Sequence, residues 1–169
     1  MKDYLNKLDR LSKLYKLFPD MAAIEAVNFS KERFVRKNWV DKSVTAWKPR
    51  KKSPKWHSAE QKRAANRGSL MVKSGRLKRS VRKIKVTRNS VTIGTDVPYA
   101  EPHNEGVVIN QVINIRSHSR KRKGRTSTVR AHRRKRKITL PERRFLGESA
   151  ILMRRIERLV EREIKDILK

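Results

Sequence analysis

Apolar residues recur at helical spacing at both ends of the chain and at strand spacing in its middle. Tyr4, Leu8, Leu11, Tyr15 and Phe18 alternate in steps of four and three, and Leu5, Leu14 and Leu17 widen the stripe, which predicts a helix over Asp3–Phe18. Pro19-Asp20 is expected to break that helix and start a second, with Ala23, Ile24, Val27 and Phe34 on one side, fading near Trp39. Val40–Ala59 reads as an irregular exposed loop, with five basic residues between Lys48 and Lys55 and the flanking Trp47 and Trp56 as pins. Ser74-Gly75 precedes a short helical turn carrying Leu77 and Val81. Ile84 and Val86 then alternate with Lys83, Lys85 and Thr87, Asn89-Ser90 supplies a tight turn, and Val91 and Ile93 resume the alternation, so a β-hairpin with one buried face is expected.

Asp96–Gly106 reads as a connection with one helical turn, and Val107–Ile115 as a further strand. Arg116–Lys137 follows, holding twelve Arg or Lys, two His and no acid, and is expected to be a basic, mobile arm. Ile138–Leu140 reads as strand. Gly147-Glu148-Ser149 opens a last helix to Lys169, whose Leu152, Ile156, Leu159, Val160, Ile164, Ile167 and Leu168 form a stripe of period 3.6, with Glu161 and Lys165 paired outside it. Helices around an antiparallel sheet make an α+β fold: a small sheet, a hairpin plus further strands, packed with N-terminal and C-terminal helices and carrying long basic loops. The 169 residues suit a single domain. Within it we expect N-terminal helices over 1–39, a basic loop region over 40–69, short helix and sheet over 70–115, the arm over 116–137, and the last strand and C-terminal helix over 138–169.

Charge changes this picture most. Forty-six Lys and Arg against sixteen Asp and Glu give +30, a density tolerable only when spread along arms or set against an anionic partner. Nucleic acid, an anionic membrane and acidic protein surfaces are all open on charge alone. With no cysteine, disulfides, thiol catalysis and Cys-ligated zinc are out. The first residues carry charges throughout, so no signal-peptide core is expected, and the longest uncharged run, the ten residues Gly106–Ile115, is too short and polar to cross a bilayer.

Candidate chemistry is thin. His103-Asn104-Glu105 has the His-x-Glu spacing of zinc deaminases, but their Cys pair has no counterpart, and no two His lie four apart as a metalloprotease helix requires. His57, His103, His118 and His132 lie far apart, no Gly-rich phosphate loop occurs, and Asp96, Glu101 and Glu105 are the few acids that a two-metal centre could use. We therefore expect no catalytic, cofactor or metal residues, no small-molecule substrate and no membrane contact, with His103 in a polar turn that closes onto the sheet.

Three segments in order resemble the tailed-phage virion-morphogenesis family of tail-completion and head–tail joining proteins. They are Ser74-Gly75-Arg76-Leu77-Lys78-Arg79-Ser80-Val81; Val91–Thr95 through Val97-Pro98-Tyr99-Ala100 and His103-Asn104-Glu105-Gly106; and Leu140-Pro141-Glu142-Arg143-Arg144-Phe145-Leu146-Gly147. Together they span about half the chain. Arg144 stands where that family usually has proline, which implies a less rigid entry into the last helix. The resemblance implies a non-enzymatic particle protein of the neck or tail end, in the virion and, during assembly, in the host cytoplasm. It also implies an oligomer, a ring of about six, meeting connector, neck or tail-tube proteins.

The motif positions Gly75, Leu77, Gly94, Tyr99, Ala100, His103, Gly106, Pro141, Arg143, Phe145, Leu146 and Gly147 read as scaffold. Among them Tyr99 and Phe145 are expected as core anchors, and Gly75 and Gly94 as backbone positions needing freedom. Arg120, Lys121, Arg122, Lys123, Arg125, Arg130, Arg133, Arg134, Lys135, Arg136 and Lys137 are candidate contacts to packaged DNA or acidic partners, or a solvated surface. A sequence-independent nucleic-acid-binding protein displaying these arms is the alternative function.

Overall fold

The computed structural model describes residues 2–50 and 69–169. In chain order the elements are α1 (Lys2–Arg36), β1 (Asn38–Val40), β2 (Val44–Ala46), α2 (Arg76–Ser80), β3 (Arg82–Val86), β4 (Val91–Gly94), α3 (Ala100–Glu105), β5 (Val107–Ile115), β6 (His118–Arg122), β7 (Arg125–Val129), β8 (His132–Leu140) and α4 (Ala150–Leu168). The fold is α+β. The strands form four separate antiparallel two-stranded ladders, β1–β2, β3–β4, β5–β8 and β6–β7.

α1 and α4 are the frame. They run antiparallel: Arg155 near the start of α4 pairs with Glu25 and Glu32, and Lys7 donates to the Leu168 carbonyl at the far end. α4 starts cleanly because three groups converge there. Ser149 Oγ accepts from the Leu152 N–H (3.2 Å) and donates to the Val40 carbonyl (2.7 Å), while Asp41 accepts from the Ala150 N–H (2.7 Å). That backbone N–H lowers the Asp41 pKa despite some burial.

Two apolar clusters fill the frame. Phe29 meets Trp39 edge-on at 5.8 Å, beside Ala26 and Leu152. Phe34 meets Trp47 at 5.6 Å and Phe145 at 4.9 Å, with Leu77, Val81, Val97 and Ala100 around them. Burying each such aromatic contributes about 2–3 kcal/mol.

Several expectations are corrected. α1 continues through Pro19 rather than breaking. The proline removes the N–H that would bond the Tyr15 carbonyl, but Pro19 is itself buried, with Ala22, Ala23 and Ala26 on the face that continues toward the core, so tertiary packing holds the helix through it. It ends at Lys37, in the left-handed region (φ 56°), and Trp39 lies in β1. The β1–β2 hairpin occupies part of the stretch expected to be irregular. The N-terminal stripe divides: Leu11 and Phe18 are half-buried, while Tyr4, Leu8 and Tyr15 are exposed. In β3–β4 a bulge between Lys83 and Lys85 leaves Ile84 62% exposed, so that hairpin lacks the regularly buried face its alternation predicts.

The largest correction concerns the basic segment. Arg116–Lys137, expected among the long basic loops, is paired strand: it holds β6, β7 and most of β8 in continuous register, Ile115 opposite His132 and Arg122 opposite Arg125. Lys123 (φ 49°) and Gly124 (φ 80°) both have the positive φ that a two-residue type I′ turn requires. The loop residues Lys51–Lys55, Trp56 and His57 lie outside the described residues.

Candidate assembly interface

The motif residues gather at the root of the β5–β8 arm, and Asn104 organises them. Its Oδ1 accepts from the Phe145 (2.9 Å) and Leu146 (3.0 Å) N–H groups, and its Nδ2 donates to the Leu146 carbonyl (3.2 Å). The turn Pro141–Gly147 is tied further on every side. Ser30 Oγ donates to the Phe145 carbonyl (2.6 Å), Trp47 Nε1 to the Arg144 carbonyl (2.8 Å), and the Arg143 N–H to the His103 carbonyl (2.9 Å). The buried Arg143 side chain donates to the Lys48 carbonyl (2.9 Å). Irregular backbone is tolerable inside a core only when its polar groups are met in this way.

Among the scaffold positions, Leu77, Ala100 and Phe145 are core, Leu146 packs against them, and Pro141 enters the turn. Gly75 (φ 75°) precedes α2. Gly106 (φ 77°) joins α3 to β5, and a Cβ there would stand 2.7 Å from the Glu142 backbone nitrogen, so the two arm ends cross with no room for a side chain. Gly94 faces Ile84 and Gly147 faces Arg144. Tyr99 is not the expected anchor: it is 41% exposed, with its ring edge-on to His103 at 6.1 Å. Arg144 fills the proline position differently, placing its guanidinium over Trp39 at 5.0 Å.

The sequence marks the segment containing Asn104 but not the role of that side chain. It gives no sign of Ser30 and Glu32, whose partners Phe145 and Arg155 lie more than a hundred residues away, or of the buried Arg33 beside them. Arg33 is buried, pairs with Glu32 (2.9 Å), donates to Asn38 and lies over Phe29. Burial lowers the Arg33 pKa, as it does that of Arg143. Burial opposes the Glu32 charge, but the Arg155 and Arg33 guanidiniums outweigh it and hold that carboxyl below its usual range. Burial, with Arg143 adjacent, pushes the His103 imidazole below its ordinary value, and its Nδ1 is buried without a partner among the described residues. Among those residues no group of three or more His, Asp or Glu could hold a metal ion, and no helix is long and apolar enough to cross a membrane.

The candidate charged contacts all lie beyond this root. The nine-residue ladder is roughly 30 Å long and the five-residue ladder beyond it roughly 17 Å. β5 packs on β8 and β6 on β7, with no other substantial packing between these strands and the body among the described residues. From Arg116 to Thr128 every described side chain is exposed. Register places Arg133, Lys135 and Lys137 on one face, opposite Asn114, Val112 and Asn110, while Arg134 and Arg136 share the other with Ile109, Ile113 and Ile138. Farther out, Arg120 shares a face with Arg125, Lys121 lies on the reverse face, Lys123 stands at the tip and Arg130 where the two ladders meet.

The family model for phage virion morphogenesis matches residues 25–165. The chain belongs to the phage virion morphogenesis family. That makes it a phage assembly protein, associated with the virion. Comparison with curated proteins and with solved structures returned no match.

Proposed function

We propose that this member of the family is a non-enzymatic structural subunit of the phage neck or tail end. In this reading it completes the tail or joins it to the head as an oligomeric ring of about six copies. Its partners are further copies of itself and connector, neck or tail-tube proteins, and its arm reaches non-specifically to packaged DNA.

The observation that carries the reading is the arm. Residues 107–140 form two ladders with no other element packed substantially along them among the described residues, and they hold twelve cations and no acid. A two-stranded hairpin in water is marginal on its own, so such an element makes physical sense when something outside the subunit completes it. Steering by its charge speeds the encounter.

The test is complementation. Particles assembled without the chain are imaged, then supplied with the full chain or with a variant whose residues 117–130 are replaced by a two-residue turn. Separate heads and tails with the variant, and joined particles with the full chain, are expected. Joined particles with both would overturn the reading. The solution mass in 1 M salt after nuclease treatment, where screening acts over about 3 Å, tests the ring. A second reading, a sequence-independent nucleic-acid binder, is favoured by the acid-free arm. Loss of DNA binding with joining intact, on substituting Arg120–Arg136 cations, would favour it.

A further inference from the structure

The two edges of the arm differ in kind. β8 presents five consecutive cations, Arg133–Lys137, and such a row guards an open edge against further strands. β5 reads Val-Val-Ile-Asn-Gln-Val-Ile-Asn-Ile: nine residues, uncharged, with neither Gly nor Pro, and unpaired on its outer side among the described residues. An unguarded edge of that length is a template for strand addition.

We propose that the outer edge of β5 pairs antiparallel with β5 of a second copy, centred on Gln111. The inference goes beyond the ring reading, since it concerns one isologous contact between two copies. In that register Val107 stands opposite the copy's Ile115 and Ile109 opposite the copy's Ile113. The paired positions share parity, so the apolar faces of the two arms join into one surface across four strands.

Charge selects the second copy as occupant in two ways. The cationic β8 strands become the outer edges, three strand spacings or about 14 Å apart, beyond the Debye length of about 8 Å at physiological salt. Pairing β5 with a copy's β8 instead would bring the cationic strands closer. The antiparallel direction also sets the copy's Ile115 at the root of the first arm and carries the copy's outer ladder, which opens with Arg116 and Arg120, past that root. There Glu101, Glu105 and Glu142 are exposed and in no ion pair among the described residues. By symmetry the exchange occurs twice.

The chain lacks cysteine, so a single introduced thiol reports the register directly. In the full chain, Gln111→Cys lies opposite itself across the two-fold, at the ~5 Å Cα separation a disulfide accepts. Val107→Cys is about 27 Å from its own counterpart. Under mild oxidation Gln111→Cys is expected to form disulfide dimers and Val107→Cys to stay largely uncrosslinked. In a cysteine-free background, Val112→Lys, at a position 59% exposed, should reduce the dimer fraction in light scattering with the thermal midpoint unchanged. Equal cross-linking of both cysteine variants, or none in Gln111→Cys, overturns the proposal. So does a Val112→Lys protein that dimerises like the parent. Failure here leaves complementation unaffected, so the two readings fall separately.

Discussion

The turn Pro141–Gly147 and the arm that precedes it are neighbours in sequence and opposites in construction. In seven residues the turn buries Phe145 completely and has its backbone met by Ser30, Trp47, Asn104 and His103, from three other parts of the chain. In thirty-four residues the arm buries no described side chain fully and bonds almost wholly to itself. Most of the turn is explained by something inside the subunit. Little in the arm is. That contrast separates what this chain needs in order to fold from what it carries for assembly.

The comparison breaks most visibly at Phe145. Truncation to Ala opens a void between Phe34 and the Leu77–Val81 helix end, and should cost about 3–5 kcal/mol by urea unfolding. A cost under about 1 kcal/mol would mean the turn does not anchor the core. Gly106→Ala comes next, at about 1–3 kcal/mol, because a left-handed φ and a close backbone crossing coincide. As the residue sits at the arm's root, the same variant should also alter the cross-linking of Gln111→Cys, which a purely local defect would leave alone.

The helices and the motif node are more legible in the sequence than the arm, for physical reasons. α4 can be read to its cap because a 3.6-period stripe and Ser149 are local signals. The three motifs mark the segments that converge, and Phe145 stands out among them as the anchor. The role of Asn104 stays hidden, since a hydrogen bond to a turn forty residues away has no local signature. Pro19 misleads because burial decides whether a helix survives a proline, and burial is a tertiary fact. Tyr99 misleads because an aromatic residue in a motif reads as core until its surroundings are known. Arg116–Lys137 reads as a loop because cations fill both faces of β8, erasing the alternation that betrays a strand, and because Lys123-Gly124 is a less familiar type I′ pair than Asn-Gly. The clue lies on the other strand, in the β-branched run of β5.

A smaller effect is set by pH at the node. The folded His103 pKa lies below its ordinary 6.5, so above that value both states are neutral there and its contribution to stability is complete. As pH falls below 6.5 the unfolded chain takes the proton more readily, and stability declines until the folded imidazole also titrates. Glu32, with its pKa lowered, loses its contribution at more acid pH, below its ordinary 4.5, so the two windows are distinct. Unfolding free energies from about pH 7.5 to about pH 5 should show the decline, and His103→Gln should flatten it. An unchanged slope in that variant would remove His103 from the account.

The smallest expected effect on folding is the most informative about the arm. Arg133, Lys135 and Lys137 share one face of β8, with no salt-bridge partner among the described residues, and each repels the others. Replacing all three with Ser should move stability by no more than about 0.5 kcal/mol per site, and the sign can be favourable because like charge is removed. If that face meets phosphates, the same protein should bind double-stranded DNA with a shallower salt dependence, by about 0.9 in the logarithmic slope for each phosphate left unneutralised. Two measurements on one variant therefore separate the regions. A large stability loss would place the arm with the body as a folding element. An unchanged fold with an unchanged salt slope would remove the Arg133, Lys135 and Lys137 face from the contacts with DNA.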